Sequence, residues 1–348
     1  MQLKLKASAA ALATSIAFAA PVQAAERIIF NCFFPPKHYA CTQWLPELKK
    51  RIETATEGRV KVNIPPKSLS APPDQYDGVV GGVMDGALQF NPFIGNQVPG
   101  IQFSLLPFAG AAESEAVGPA LWETYQKFFA DKNEYGEAVL ISVTTTNGSD
   151  LFSMTEEPIE TIDDIGGRKM WALPGVVANT MKGTGSSVVA GPAVQMLEII
   201  SKGVVDGYAG ISFSSVAAFK LIDYTKSATL TEGKLFQPTF SVLINREKWG
   251  KISAEDQAAI MSVAGADFAK WAGAVQDGVN AKARAATEAG GVTLLEGSAE
   301  LEAGLRELGQ PMVDAWIAKV AEMGVDGHAV LDFYRAEIAK NQGQLGNN

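Results

Sequence analysis

Two cysteines, Cys32 and Cys41, and two histidines, His38 and His328, are all the thiol and imidazole chemistry this chain carries. A structural or catalytic metal needs such ligands clustered, and the two histidines stand far apart in the sequence, so no metal centre is expected. A serine hydrolase of the α/β type needs a Gly-x-Ser-x-Gly turn followed by a late histidine. Gly183-Thr184-Gly185-Ser186-Ser187 departs from that turn, and His328 would have to serve as the base. The neighbouring carboxylates Asp163-Asp164 and Glu156-Glu157 are more simply read as solvated loop charges than as an acid and a base. No Gly-rich loop of the Walker type occurs. These residues point away from an enzyme and from any cofactor.

Cys32 and Cys41 bracket the loop FFPPKHYA, between an apolar strand and the next helix. In an oxidising compartment such a pair can close into a disulfide, with two buried thiols as the alternative. The N-terminus supplies the compartment. MQLKLK, an apolar run ASAAALATSIAFAA and Pro21-Val22-Gln23-Ala24 have the order of a secretory signal peptide, residues 1–24, with processing after Ala24. The apolar run is about 14 residues, too short for the roughly 20 of a membrane span. The net charge of −9 and pI near 5.0 exclude nucleic acid as a natural partner, because phosphate recognition needs a basic face.

The elements that must position any site read as alternating strands and helices. Arg27 to Phe34 is a candidate buried strand, Trp44, Leu45, Leu48 and Ile52 recur at helical spacing, and Val60 to Ile64 is a second strand. The alternation continues through strands near 87–90 and 138–143, then 169–173, 187–189 and 239–244, which predicts an α/β fold with largely parallel sheet. From the N-cap Ser253 to Ala289 one helix of about 37 residues is expected, about 55 Å long at 1.5 Å per residue. Gly265, Gly273 and Gly278 weaken it. A helix of that length exceeds one lobe and would brace two.

Three segments carry a resemblance. MDGALQFNPFIGNQVPGIQFSLLPF (84–108), PIETIDDIGGRKMWALPG (158–175) and GVVDGYAG (203–210) with the following LTEGKLFQPTFSVLINREKWGKISAEDQAAI resemble, in this order, the substrate-binding subunits of tripartite ATP-independent periplasmic (TRAP) transporters. The resemblance implies a two-lobed periplasmic binding protein with hinge strands and a long helix spanning both lobes. It would close on a small solute without chemistry and deliver it to two integral membrane subunits, and a monomer is expected. The lobes would be 25–147 with about 238–275, and 148–237 with about 276–348.

This chain departs from the family where relatives hold an anion. The resemblance places Trp171 where most relatives carry an arginine that grips a carboxylate, Asp150 where some carry a second arginine, and Tyr208-Ala209-Gly210 where an asparagine is common. Arg168 would face solvent on the opposite side of the strand. A small amine, quaternary ammonium or sulfonium ligand follows as the expectation, held by the faces of Trp171 and Tyr208 and the charge of Asp150. Phe213, Asn91 and the strand-end aromatics Phe33, Phe34, Phe90 and Phe93 complete the candidate set. Each has a plainer reading, with Trp171 in the core, Asp150 capping a turn and Tyr208 on the surface. The competing ligand is an organic acid held by Lys67, Lys182 or Arg246.

Overall fold

The computed structural model describes residues 25–110 and 112–346, so the expected signal peptide lies outside the described residues. The strands are β1 Glu26–Asn31, β2 Val60–Asn63, β3 Gly86–Phe90, β4 Ala138–Thr145, β5 Leu151–Ser153, β6 Lys169–Ala172, β7 Ser187–Ala190, β8 Gly207–Ala209, β9 Ser227–Leu230, β10 Thr239–Asn245 and β11 Thr293–Glu296. They form two sheets, in the orders β2, β1, β3, β10, β4 and β11, β9, β5, β8, β6, β7.

The sheets are mixed rather than largely parallel. β10 runs antiparallel to both β3 and β4, and β5 antiparallel to both β8 and β9. β3 is buried along its whole length, as expected of a strand covered on both faces. Its one long polar side chain, Gln89, accepts from the Tyr76 amide and donates to the Phe90 carbonyl.

The long helix is broken once. Ala254–Val263 ends at Ala264, and Gly265–Ala289 restarts from Gly265 at φ +48°. Ser142 on β4 donates to the Gly265 carbonyl at 2.7 Å, which fixes the break against the first sheet. Beyond it, the helix packs on the Ser114–Phe128 helix and β4 on the first-sheet side, and on the Phe213–Ala218 helix on the second. Three polar side chains bind it to both. Asp277 accepts from the Ser114 and Glu115 amides, Gln276 donates to Asn147 and Ser214, and Asn280 accepts from the Ser214 amide.

The chain crosses from the first sheet to the second between Thr145 and Leu151 and returns between Leu230 and Thr239. The C-terminal part of the segment expected in the second lobe, about 276–348, reaches the first-sheet side, where the Gly327–Leu345 helix packs on the Ser114–Phe128 helix. Trp316, Leu331, Tyr334 and Ile338 join the core that contains Val117, Leu121 and Phe129. The Ala299–Ala321 helix makes the return crossing, and Trp316 near its end donates to the Pro99 carbonyl.

Cys32 and Cys41 are disulfide-bonded. A closed loop of about 10 residues contributes roughly 2–3 kcal/mol in the chain-entropy model. The Cys32→Ser/Cys41→Ser double variant should therefore melt several degrees lower than wild type, and reductant should lower the wild-type transition alone. Identical melting of the two proteins in oxidising buffer would refute this.

Candidate functional site

The ends of strands from both sheets converge on one cavity. From the first sheet come Phe33, Phe34 and Tyr39 after β1, Phe90 and Phe93 at and after β3, Thr146 after β4, and Pro238 and Phe240 around the start of β10. From the second come Leu173 after β6, Pro192, Ala193 and Val194 after β7, and Ile211, Ser215 and Phe219 after β8. Most lie beyond the carboxyl ends of parallel strands, where open α/β sheets place ligands. The enclosed space is about 40 Å³, below the roughly 300–1,000 Å³ of small-molecule sites, so a ligand enters only when the two sheets part.

The wall is aromatic and carries no charged side chain. Phe33 stacks on Phe34 at 4.2 Å, Phe240 lies 5.7 Å from Phe34 and 5.2 Å from Phe90, and Phe93 meets Phe90 edge to face at 5.1 Å. The register explains one meeting, since Phe240 on β10 is the direct partner of Phe90 on β3. Behind these rings, His38 stacks on Phe34 at 4.0 Å and lies 4.1 Å from Tyr39 and 6.0 Å from Phe219. Burial pushes the His38 imidazole down to about 3, so it is neutral at physiological pH. Burial also raises the Tyr39 phenol, which stays protonated.

Of the residues picked from the sequence, Phe33, Phe34, Phe90 and Phe93 line this cavity. The others are placed differently. Trp171 is fully buried on β6, with its indole N–H unpartnered, two residues before the lining Leu173. Tyr208 is fully buried beside it, stacked on Phe152 at 4.7 Å, and its hydroxyl is bonded to Thr225. Phe213 packs edge to face on Phe152. Asn91 is spent on Thr239 and Ser241 of β10.

Asp150 is buried and ion-paired with Lys234 at 2.5 Å, and it also accepts from the Thr231 amide at 3.2 Å. Burial raises its carboxyl, and the Lys234 ammonium opposes that shift. The expected cage of Trp171, Tyr208 and Asp150 is therefore not assembled, because two rings serve the core of the second sheet and the carboxylate already has its cation. Arg168 is not a free surface charge either. It donates to the Ser153 hydroxyl and to the carbonyls of Glu157 and Pro158. Arg246 is bonded to Asn133 and the carbonyls of Gly136 and Ala138, and Lys67 and Lys182 are exposed outside the lining.

Sequence reasoning missed Tyr39, Phe219, Phe240 and the Pro192–Val194 turn. A signal existed for the first and last, because both follow predicted strands. Phe240 stands in a predicted strand and meets Phe90 by register, whereas Phe219 reaches the cavity only through the meeting of the two sheets.

Comparison with known proteins agrees with this geometry. A family model described as bacterial extracellular solute-binding protein, family 7, matches residues 33–319. A Comamonas testosteroni protein named outer membrane transporter protein TsaT is 33% identical over 342 residues, 98% of this chain and 100% of the relative. A TRAP periplasmic solute-binding protein from Bordetella bronchiseptica, solved with (R)- and (S)-mandelate, superposes with a TM-score of 0.83 at 29% identity, over 90% of this chain and 99% of its own. A TRAP solute-binding protein of an unidentified marine microbe, specific for aromatic acids and solved with 3-hydroxybenzoate, gives 0.81 at 25% identity, over 91% and 99%. These matches run through both sheets and the cavity between them, and the chain belongs to bacterial extracellular solute-binding protein family 7, as the periplasmic substrate-binding subunit of a TRAP transporter.

Proposed function

We propose that this receptor captures a small aromatic acid in the cavity between its sheets and delivers it, as a monomer, to two integral membrane subunits. The observation that carries the reading is the uncharged wall of phenylalanines at the strand ends. A ligand ring buries roughly 150–250 Å². At about 25 cal/mol/Å² that is worth about 4–6 kcal/mol, half to three-quarters of the roughly 8 kcal/mol of micromolar binding. A dicarboxylate or sugar acid of the same size would forgo that term and bring charges that the wall cannot match. The acidic head is supported by the mandelate and 3-hydroxybenzoate held by the two structural relatives. Closure would be a hinge motion about the two crossings, 145–151 and 230–239.

The cationic ligand expected from Trp171 and Asp150 loses its anion to Lys234, although rings alone retain some affinity for an ammonium. A thermal-shift screen decides between the two. Benzoate, 3-hydroxybenzoate and mandelate at 100 times their dissociation constants should each stabilise the fold by about 2.7 kcal/mol, with succinate, choline, ethanolamine and glycine betaine silent. Stabilisation by choline or betaine, with none from the aromatic acids, would overturn the proposal and restore the cationic reading.

A further inference from the structure

The wall just described holds a ring but names nothing that holds the acidic head. No lysine or arginine is among its lining residues: Lys234 is paired with Asp150, Arg284 lies over the face of Phe213, Arg168 is bonded to Ser153 and two carbonyls, and Lys37 is exposed outside the lining. Beside the cavity instead are two buried polar atoms, His38 Nε2, behind the lining rings and without a partner, and the hydroxyl of the lining Tyr39, which approaches Ser214 without a well-formed bond. Both side chains are at least nine-tenths buried. Leaving such donors unmade is costly, and native proteins do so where a ligand or water completes the set.

The proton on His38 can be located. Its Nδ1 accepts from the Ala40 amide at 3.2 Å, and a neutral imidazole with one accepting nitrogen carries its hydrogen on the other. Nε2 is therefore an N–H donor, set among the rings of Phe34, Tyr39 and Phe219, all three of which line the cavity. The Tyr39 hydroxyl lies beside Ser214, whose own bonds run to Ser212 and Gln276. Both donors are held rigidly. The Cys32–Cys41 bridge closes their loop, and Tyr39 packs edge to face on Trp44, whose indole N–H is bonded to the Ala272 carbonyl of the long helix.

We infer that His38 Nε2–H and the Tyr39 hydroxyl are the specificity-determining contacts of this site, donating to the acidic oxygens of the aromatic ligand in place of a cationic clamp. The inference rests on the aromatic-acid reading above. Its chemical consequence is selection by hydrogen-bond polarity. An acid offers acceptors to two donors, whereas an arylamine of the same shape brings further donors to them and leaves the His38 N–H unmatched.

The test is calorimetric titration of the ligand-free mature protein with benzoate and with benzyl alcohol. His38→Phe and Tyr39→Phe should each weaken benzoate by 10-fold or more and change benzyl alcohol by less than 3-fold, so that discrimination collapses. His38→Gln, which keeps an N–H donor, should recover part of the loss. Because the chain has only two histidines, ¹⁵N-labelled imidazole supplies a readout in the wild type that survives even if a variant fails to fold. Saturation with benzoate should move the His38 Nε2–H resonance downfield and leave His328 in place. If wild type binds benzoate while the variants match its affinity, or the His38 signal stays still, this inference fails and the aromatic-acid reading stands. If wild type binds no aromatic acid, both fall.

Discussion

Replacing Gly273 by alanine is expected to destabilise the protein by about 3 kcal/mol or more, while the same change at Gly278, five residues further along the same helix, should be neutral or stabilising by up to about 1 kcal/mol. A Cβ built on Gly273 would lie 2.2 Å from the Ser114 carbonyl oxygen, 2.4 Å from its carbon and 2.5 Å from the Glu115 amide nitrogen. All three are backbone atoms, so no side-chain rotation relieves the clash. Gly118 on the opposing helix is just as confined, with its Cβ position 2.6 Å from the Ala269 carbonyl. The two helices therefore approach through two glycine notches, and moving them apart would also break the Asp277 bonds to the Ser114 and Glu115 amides. Gly278 has nothing within 4 Å, and there alanine simply improves helix propensity. Urea denaturation of the two variants checks this directly. Equal midpoints would show that the notch is not tight.

The second large effect is a pair of opposed titrations. Below pH 6.5 an unfolded chain protonates its histidines, whereas folded His38 is held down to about 3 by burial. The unfolded state then binds more protons, so stability drops as the pH is lowered, by up to about 1.4 kcal/mol per unit. Glu134 runs the other way. Burial lifts its carboxyl from 4.5 to about 7, against the Gly100 amide bond that favours the charged form. Between pH 7 and 4.5 the folded state binds the extra proton, so acid adds stability by up to a similar amount.

The two should largely cancel between pH 6.5 and 4.5. Measured without ligand over that interval, Glu134→Gln should lose up to about 2.7 kcal/mol relative to wild type, and His38→Gln should gain about as much. Tyr39 is the titratable side chain packed against His38, and its phenol stays neutral throughout. Denaturation at pH 6.5, 5.5 and 4.5 gives the difference curves, and parallel lines for all three proteins would refute the scheme.

The sequence made the long buried strands plain because β1, β3, β4 and β10 are runs of apolar residues bounded by turns. β5 and β8 have three residues each, too few for any period to show, and β9 and β11 are four-residue segments completed by pairing with each other. The site divides in the same way. Phe33, Phe34 and Phe90 were legible because they follow buried strands, and strand ends are where such sheets bind. Trp171 and Tyr208 were misplaced because a family position fixes which residue occupies a strand but not how far an indole or phenol sinks into the core. The partner of Asp150 is 84 residues away, and no local pattern announces Lys234.

The placing of β10 between β3 and β4 also governs the order in which this molecule can be assembled. As the chain emerges from its N-terminus, β3 and β4 are both made early, yet β3 has only β1 beside it and β4 has no partner until Thr239–Asn245 arrives. In the interval β3 presents one open, largely apolar edge of the kind that recruits other chains. Every strand of the second sheet except β11 precedes β10, so that half can pair before the first sheet closes. A nascent chain halted before residue 239 should therefore be the aggregation-prone species, and closing so distant a pairing should make first-sheet formation the slow step of folding.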